Sequence, residues 1–223
     1  YRTVAAHPYR SSGWSRPSVY RDFGFDEVYF EGDFQDREYM RGDEKTGYVT
    51  DQCDYENLIR WYEEKEAGEP LFLFNVTMQN HSSYAQGWNN LEKTITLPDI
   101  QKAADTTAEQ YLSLIRASDD ALRDLIEHYS QSEEPTMVVF FGDHQPNLEK
   151  EFYDLVYGHD TASLPLSEFQ RKYITPFYIW SNKGLEARDE GYTSINYLSQ
   201  LLLEEAGLEN TPYGYFLSDL QEE

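Results

Sequence analysis

The run Met137-Val138-Val139-Phe140-Phe141, followed at once by Gly142-Asp143-His144, constrains this chain more than any other stretch. An apolar run rich in β-branched and aromatic residues reads as a buried strand, and a glycine followed by a carboxylate and an imidazole reads as its abrupt end. In open α/β proteins the carboxyl end of a strand is where ligands bind. Along an extended strand, the side chains of Asp143 and His144 would point to opposite faces. Both reach one ion only if the backbone turns there, and Gly142 before them and Pro146 after them permit it. A carboxylate beside an imidazole is then half of a divalent metal site.

The same design recurs along the chain. Thr3-Val4-Ala5-Ala6 runs into His7-Pro8-Tyr9, and the strand expected from Leu71 to Met78 runs into Gln79-Asn80-His81. Further strands are expected at Glu27-Val28-Tyr29-Phe30 and from Pro176 to Trp180. Helices are expected from Val19 to Phe23, from Tyr55 to about Lys65 with Thr50 or Asp51 as cap, along the stripe Leu112, Ile115, Leu122, Ile126 and Tyr129, and from Ser194 to Ala206. Strand and helix alternate, which predicts an α/β fold with a largely parallel sheet and helices on both faces. The acidic, glycine-containing stretch from Glu31 to Asp51 reads as a solvated loop region. Nothing resembles a repeat or a linker, so residues 1–223 are expected to form part of one domain.

Charge narrows the partners. With 41 acidic against 18 basic residues, a net charge of -23 argues against nucleic acid and against direct adhesion to an anionic membrane surface. A polyanionic substrate would need a local positive site, supplied by metal or arginine. Cys53 is the only cysteine, which excludes an internal disulfide. No apolar run approaches the length of a membrane span, and no signal peptide is expected in the chain. The chain opens at Tyr1 and is read as a piece of something longer.

Of five histidines, His7, His81 and His144 fall at expected strand ends, the pattern of a site at one sheet edge. His128 and His159 fall on a helix surface and in a loop, where a structural role is expected. Arg16, just past His7, could fork onto a phosphate or sulfate, and Trp14 could wall that pocket. Asp119 interrupts the apolar stripe of the long helix and is expected to be paired for structural reasons.

Taken in order, His7-Pro8-Tyr9 with Trp14-Ser15-Arg16, Tyr20 through Gly24-Phe25-Asp26, Thr77-Met78-Gln79-Asn80-His81, Ser118-Asp119-Asp120-Ala121-Leu122, Phe141-Gly142-Asp143-His144-Gln145-Pro146 and Thr175-Pro176-Phe177 resemble the lipoteichoic acid synthase-like phosphoglycerol transferases of the alkaline phosphatase and sulfatase superfamily. The resemblance spans nearly the whole chain. It implies an alkaline phosphatase/sulfatase-like fold from which the N-terminal portion is absent, and metal ligation by Asp143 and His144, with manganese expected and zinc or magnesium as alternatives. It further implies a glycerol phosphate pocket lined by His7, Trp14, Arg16 and His81. His81 would be the acid/base candidate, protonating a leaving alkoxide or deprotonating an incoming hydroxyl.

By the same resemblance, a glutamate ligand and a threonine nucleophile belong to a segment preceding Tyr1, along with membrane helices. The chain is therefore expected to be the C-terminal part of an extracellular catalytic domain, inactive alone, whose parent is anchored at the outer face of a bacterial cytoplasmic membrane. That parent would move glycerol phosphate from phosphatidylglycerol, or a related anionic lipid headgroup, to a glycerol-phosphate or glycolipid acceptor in cell-envelope polymer synthesis. Two alternatives stay open: a sulfatase or phosphodiester/phosphonate hydrolase of the same superfamily, and a non-catalytic module that binds glycerol phosphate polymer.

Overall fold

A computed structural model describes residues 1–84, 90–98 and 107–222. They fall into two compact units, Tyr1–Leu125 with Pro146–Phe169, and Ile126–Gln145 with Gln170–Glu223.

The first unit is built on a parallel sheet. Strand β1 (Arg2–His7) lies between β2 (Glu27–Phe30) and β5 (Leu71–Asn75), parallel to both. Val4, Ala5 and Ala6 are fully buried, as a central strand covered on two faces requires. Helix α1 (Arg16–Phe23) returns the chain from β1 to β2, with a proline in its first turn and the left-handed Gly24 (φ 81°) closing it. Its buried Tyr20 packs on Phe25, Phe30 and Phe74. Helix α2 (Asp51–Glu63) leads to β5, and the Thr50 side chain caps it by accepting from the Cys53 amide. The strand expected to continue to Met78 ends at Asn75: the Val76 amide still donates to Ala6 (3.1 Å), but its carbonyl turns to the His7 ring.

The acidic stretch departs from expectation. Rather than being wholly a solvated loop, it carries a short antiparallel hairpin, β3 (Tyr39–Met40) and β4 (Tyr48–Val49). Its tip closes tightly, since a Cβ on Gly47 would lie 2.9 Å from the carbonyl oxygens of both Met40 and Asp43. From this hairpin Arg41, with φ 56°, turns its guanidinium inward and is 1% exposed.

The long helix α3 (Thr107–Ser130) forms where periodicity placed one, with its buried face shifted from the expected stripe, of which Tyr129 is buried, Leu112, Leu122 and Ile126 are half-buried and Ile115 is exposed. Ala108, Leu114, Ala121 and Leu125 are buried with Tyr129. Asp119 accordingly does not interrupt a core stripe; it lies on the exposed side and pairs with Arg123 (3.3 Å), an interaction worth little. Leu114 and Ala108 join Tyr84 and Leu148 in a core completed by Met40, Tyr111 and by Phe152 and Tyr153 of α4 (Lys150–Tyr157), a helix the sequence reading did not contain. A one-turn helix, α5 (Leu166–Phe169), closes this unit.

In the second unit β6 (Met137–Phe141) and β7 (Phe177–Ser181) pair antiparallel. Alternation of helix and strand does not fix the direction of every strand, so this pair departs from a wholly parallel reading while the fold class stands. Helices α6 (Leu198–Glu205) and α7 (Pro212–Glu222) bury Leu198, Leu201 and Leu217. Among the described residues no helix is long and apolar enough to cross a membrane.

Candidate substrate site and metal pair

The first unit brings four of the six expected site residues together. His7, at the end of β1, is fully buried, and its Nδ1 lies 2.7 Å from the Val76 carbonyl. A carbonyl only accepts, so Nδ1 carries the hydrogen and Nε2 of the neutral ring is a bare acceptor. That Nε2 is buried and has no partner among the described residues. Burial lowers the His7 pKa to about 4; the Val76 carbonyl opposes the shift, and the nearby Arg16 and His81 add to it. At neutral pH the site therefore offers a lone pair suited to a hydroxyl donor.

Trp14 and Ser15 both adopt left-handed backbone (φ 51° and 54°), a sharp corner immediately before α1. The corner stands the indole edge-on to His7 (5.8 Å between ring centres) and His81 (5.4 Å). Tyr9 and Tyr48 complete a circuit: Tyr9 is 5.9 Å from Trp14 and 5.7 Å from Tyr48, and Tyr48 is 5.9 Å from His81. Sequence reasoning did not single out either tyrosine as a site residue. Arg16 spreads its guanidinium over Trp14 (5.3 Å) and Tyr20 (5.9 Å) and donates to the Tyr20 hydroxyl (2.9 Å). Its Nε is buried without a partner, and among the described residues it forms no ion pair. In a chain this acidic, a guanidinium held on aromatic faces and paired with no carboxylate among the described residues is the feature of an anion site.

Behind this surface lies a buried polar network. Gln79 accepts from the Asp51 amide (3.0 Å) and donates to Ser118 Oγ (3.0 Å), Asn80 donates to the same oxygen (2.8 Å), and Ser118 donates to Asp51 (2.5 Å). Asn75 donates to Asp54 (2.8 Å). Both carboxylates sit in the first turn of α2, where the helix dipole favours the ionised form, but burial outweighs it. Desolvation raises Asp51 to about 6, against the Ser118 and Gln79 hydrogen bonds, and raises Asp54 well above the usual carboxylate range. Ser118, which the sequence shows only as the start of the Ser118-Asp119-Asp120 motif, is thus the hub that fixes the segment before His81.

Asp143 and His144 belong to the second unit. Gly142 follows β6, its amide donating to the Pro176 carbonyl (3.0 Å) and its carbonyl accepting from the Thr175 hydroxyl (2.8 Å). A Cβ on Gly142 would lie 3.1 Å from that of Thr175, so glycine serves here for close approach. Past this clasp the chain has left the strand, and Asp143 Oδ2 and His144 Nε2 lie 3.4 Å apart on largely exposed side chains. His144 Nδ1 faces the Gln145 carbonyl (3.1 Å) and so holds the hydrogen, leaving Nε2 free to ligate. Two ligands about 2.1 Å from one ion are separated by about 3.0 to 3.4 Å at octahedral to tetrahedral angles, so this pair fits a divalent cation. Among the described residues no group of three or more His, Cys, Asp or Glu assembles a complete site. His159 Nε2, by contrast, lies 3.3 Å from a Glu168 carboxylate oxygen, both side chains being exposed.

Comparison with known proteins accords with this architecture. A Rhizobium meliloti (strain 1021) protein named "Putative cyclic beta-1,2-glucan modification protein" is 30% identical over 222 residues, covering 97% of this chain and 33% of the relative. The phosphoglycerol transferase GacH of Streptococcus pyogenes, solved in complex with sn-glycerol-1-phosphate, superposes with a TM-score of 0.76 at 22% identity, covering all of this chain and 54% of that one. The lipoteichoic acid synthase LtaP of Listeria monocytogenes gives 0.60 at 22% identity, covering 80% of this chain and 43% of its own. The chain thus spans about a third of the curated relative and about half of each solved structure. The fold is alkaline phosphatase/sulfatase-like, and with the sulfatase family model matching residues 1–208, the chain belongs to the sulfatase family.

Proposed function

We propose that the intact protein is a metal-dependent phosphoglycerol transferase whose glycerol phosphate pocket is formed in this chain by His7, Trp14, Arg16 and His81. The observation that carries the reading is Arg16, a guanidinium without a carboxylate partner among the described residues, stacked on Trp14. It would fork onto the phosphoryl oxygens, while the bare Nε2 of neutral His7 accepts from a glycerol hydroxyl. Trp14 would exclude water from the face of Arg16, strengthening the charge-assisted hydrogen bonds. His81, whose Nδ1 faces the Ser82 carbonyl (2.8 Å), would present Nε2 for proton transfer.

Asp143 and His144 would hold a divalent ion, manganese being the favoured one, which when bound supplies Lewis-acid charge stabilisation to a phosphoryl group. The donor would be phosphatidylglycerol or a related anionic lipid at the outer face of a bacterial membrane. The name of the Rhizobium relative favours a carbohydrate hydroxyl as acceptor over a teichoic acid chain end. The test is to incubate the intact protein with manganese, phosphatidylglycerol and a β-glucan. The reading expects diacylglycerol release matched by glycerol phosphate esters on the glucan; release with no acceptor product would refute transfer.

The family match favours one rival, hydrolysis of sulfate esters. Turnover of an aryl sulfate faster than of a glycerol phosphodiester would establish it.

A further inference from the structure

The segment that presents His81 is held by a residue from the acidic stretch. Arg41 Nη2 donates to the carbonyls of Gln79 (2.8 Å) and His81 (2.5 Å), and Nη1 to that of Ser83 (3.1 Å). These belong to His81 itself and to the residues two before and two after it, so one planar fork fixes the whole turn. The guanidinium lies between two rings, 4.8 Å from Tyr48 and 5.5 Å from Tyr84. Tyr48 in turn packs on the His81 ring and donates to the Ser82 carbonyl (3.2 Å), and Tyr84 donates to the Asn80 carbonyl (2.6 Å). Among the described residues Arg41 forms no ion pair. Burying a cation is costly, and a purely structural clamp could use an uncharged amide. Backbone carbonyls and tyrosine faces are its partners, and every one of them lies within the turn that carries His81 or against it.

We propose that Arg41 is the positioning residue of the candidate site: it sets the His81 ring against Trp14 by fixing the carbonyls around it, without touching substrate. A lysine cannot replace it, because a single ammonium cannot reach three carbonyls in one plane while stacking on two rings. The inference rests on reading His81 as a substrate-facing group, and its test keeps the two claims apart.

The intact protein is prepared as wild type, Arg41→Lys, Arg41→Gln, His81→Ala and the double variant Arg41→Lys/His81→Ala. Imidazole resonances are followed by NMR, and sn-glycerol-1-phosphate is titrated calorimetrically. Arg41→Lys and Arg41→Gln each keep part of the donor set, so folding does not depend on one replacement. The His81 resonance is expected to move in both variants while those of His128 and His159 stay. Affinity should fall about tenfold in Arg41→Lys and no further in the double variant than in His81→Ala. An unmoved His81 resonance, or an equal added loss in the His81→Ala background, would overturn the proposal. A moved resonance in a protein that binds no glycerol phosphate would uphold the positioning role and refute the substrate reading.

Discussion

The two regions proposed to carry the chemistry are built in opposite ways. His7, Trp14, Arg16 and His81 are locked by ring contacts, by carbonyls from neighbouring segments and by the network through Ser118. Asp143 and His144 are largely exposed, and what fixes them is the Gly142–Thr175 clasp just before them. Recognition of a small anionic group needs its donors prearranged, because ordering them on binding would consume affinity. A pair of metal ligands tolerates looser seating, since the ion itself draws a carboxylate and an imidazole into place.

The largest expected effect attacks the first arrangement through its core. Leu114 is fully buried beside Tyr84, and Leu114→Ala should cost about 2–5 kcal/mol by the cavity it leaves. Denaturant titration should show that loss, and the Trp14 environment should melt with the core. If the tyrosine and tryptophan signals of the site survive such destabilisation, the site is not set by that packing.

A second prediction concerns pH. Asp51 is raised in the folded state, so its contribution is fully present below the unfolded carboxylate range and is lost as pH rises through about 6; Asp54 acts in the same sense. His7 is lowered to about 4, so its contribution is present above the unfolded histidine range and is lost as pH falls through about 4. Between pH 4 and 6 the acids and the imidazole therefore pull in opposite directions, Asp51 and His7 each by roughly 2 kcal/mol. The Asp51→Asn/Asp54→Asn variant should show stability rising with pH across that window, and a His7→Gln variant should show it falling. Parallel profiles in both variants would remove the buried groups from the account.

Much of this was legible in the sequence, for local reasons. Apolar runs located β1, β5 and β6, and His-Pro and Gly-Asp-His mark where β1 and β6 stop, whereas β5 ends at Asn75, short of Gln79-Asn80-His81. Arg41 was hidden because glycine and acid around it look solvated, and its burial depends on carbonyls 38 to 42 residues away. The buried face of α3 lies partly off the expected stripe because Leu112, Ile115 and Leu122 form an apolar row beside the one that Leu114, Ala121 and Leu125 bury, and the two meet at Tyr129. Thr50 was one of two candidate caps, whereas the burial of Asp51 and Asp54 reflects tertiary packing that no local pattern encodes.

A smaller effect sharpens the contrast from the other side. Gly142→Ala places a methyl 3.1 Å from Thr175 Cβ and should cost only about 1 kcal/mol of stability while shifting Asp143 and His144. Manganese affinity of the intact protein, read by electron paramagnetic resonance, should weaken severalfold with glycerol phosphate affinity little changed. Equal losses in both would mean that the two regions are not built independently.

The measurement that bears most directly on the central claim is a calorimetric titration of the intact protein with sn-glycerol-1-phosphate, comparing wild type, Arg16→Lys and Arg16→Ala. Truncating a desolvated charged partner costs about 2–5 kcal/mol, so Arg16→Ala should bind at least thirtyfold more weakly, by roughly that free energy, and Arg16→Lys should recover only part of it. Binding that is unchanged in Arg16→Ala, with the fold intact, would contradict the assignment of this cluster as the glycerol phosphate pocket.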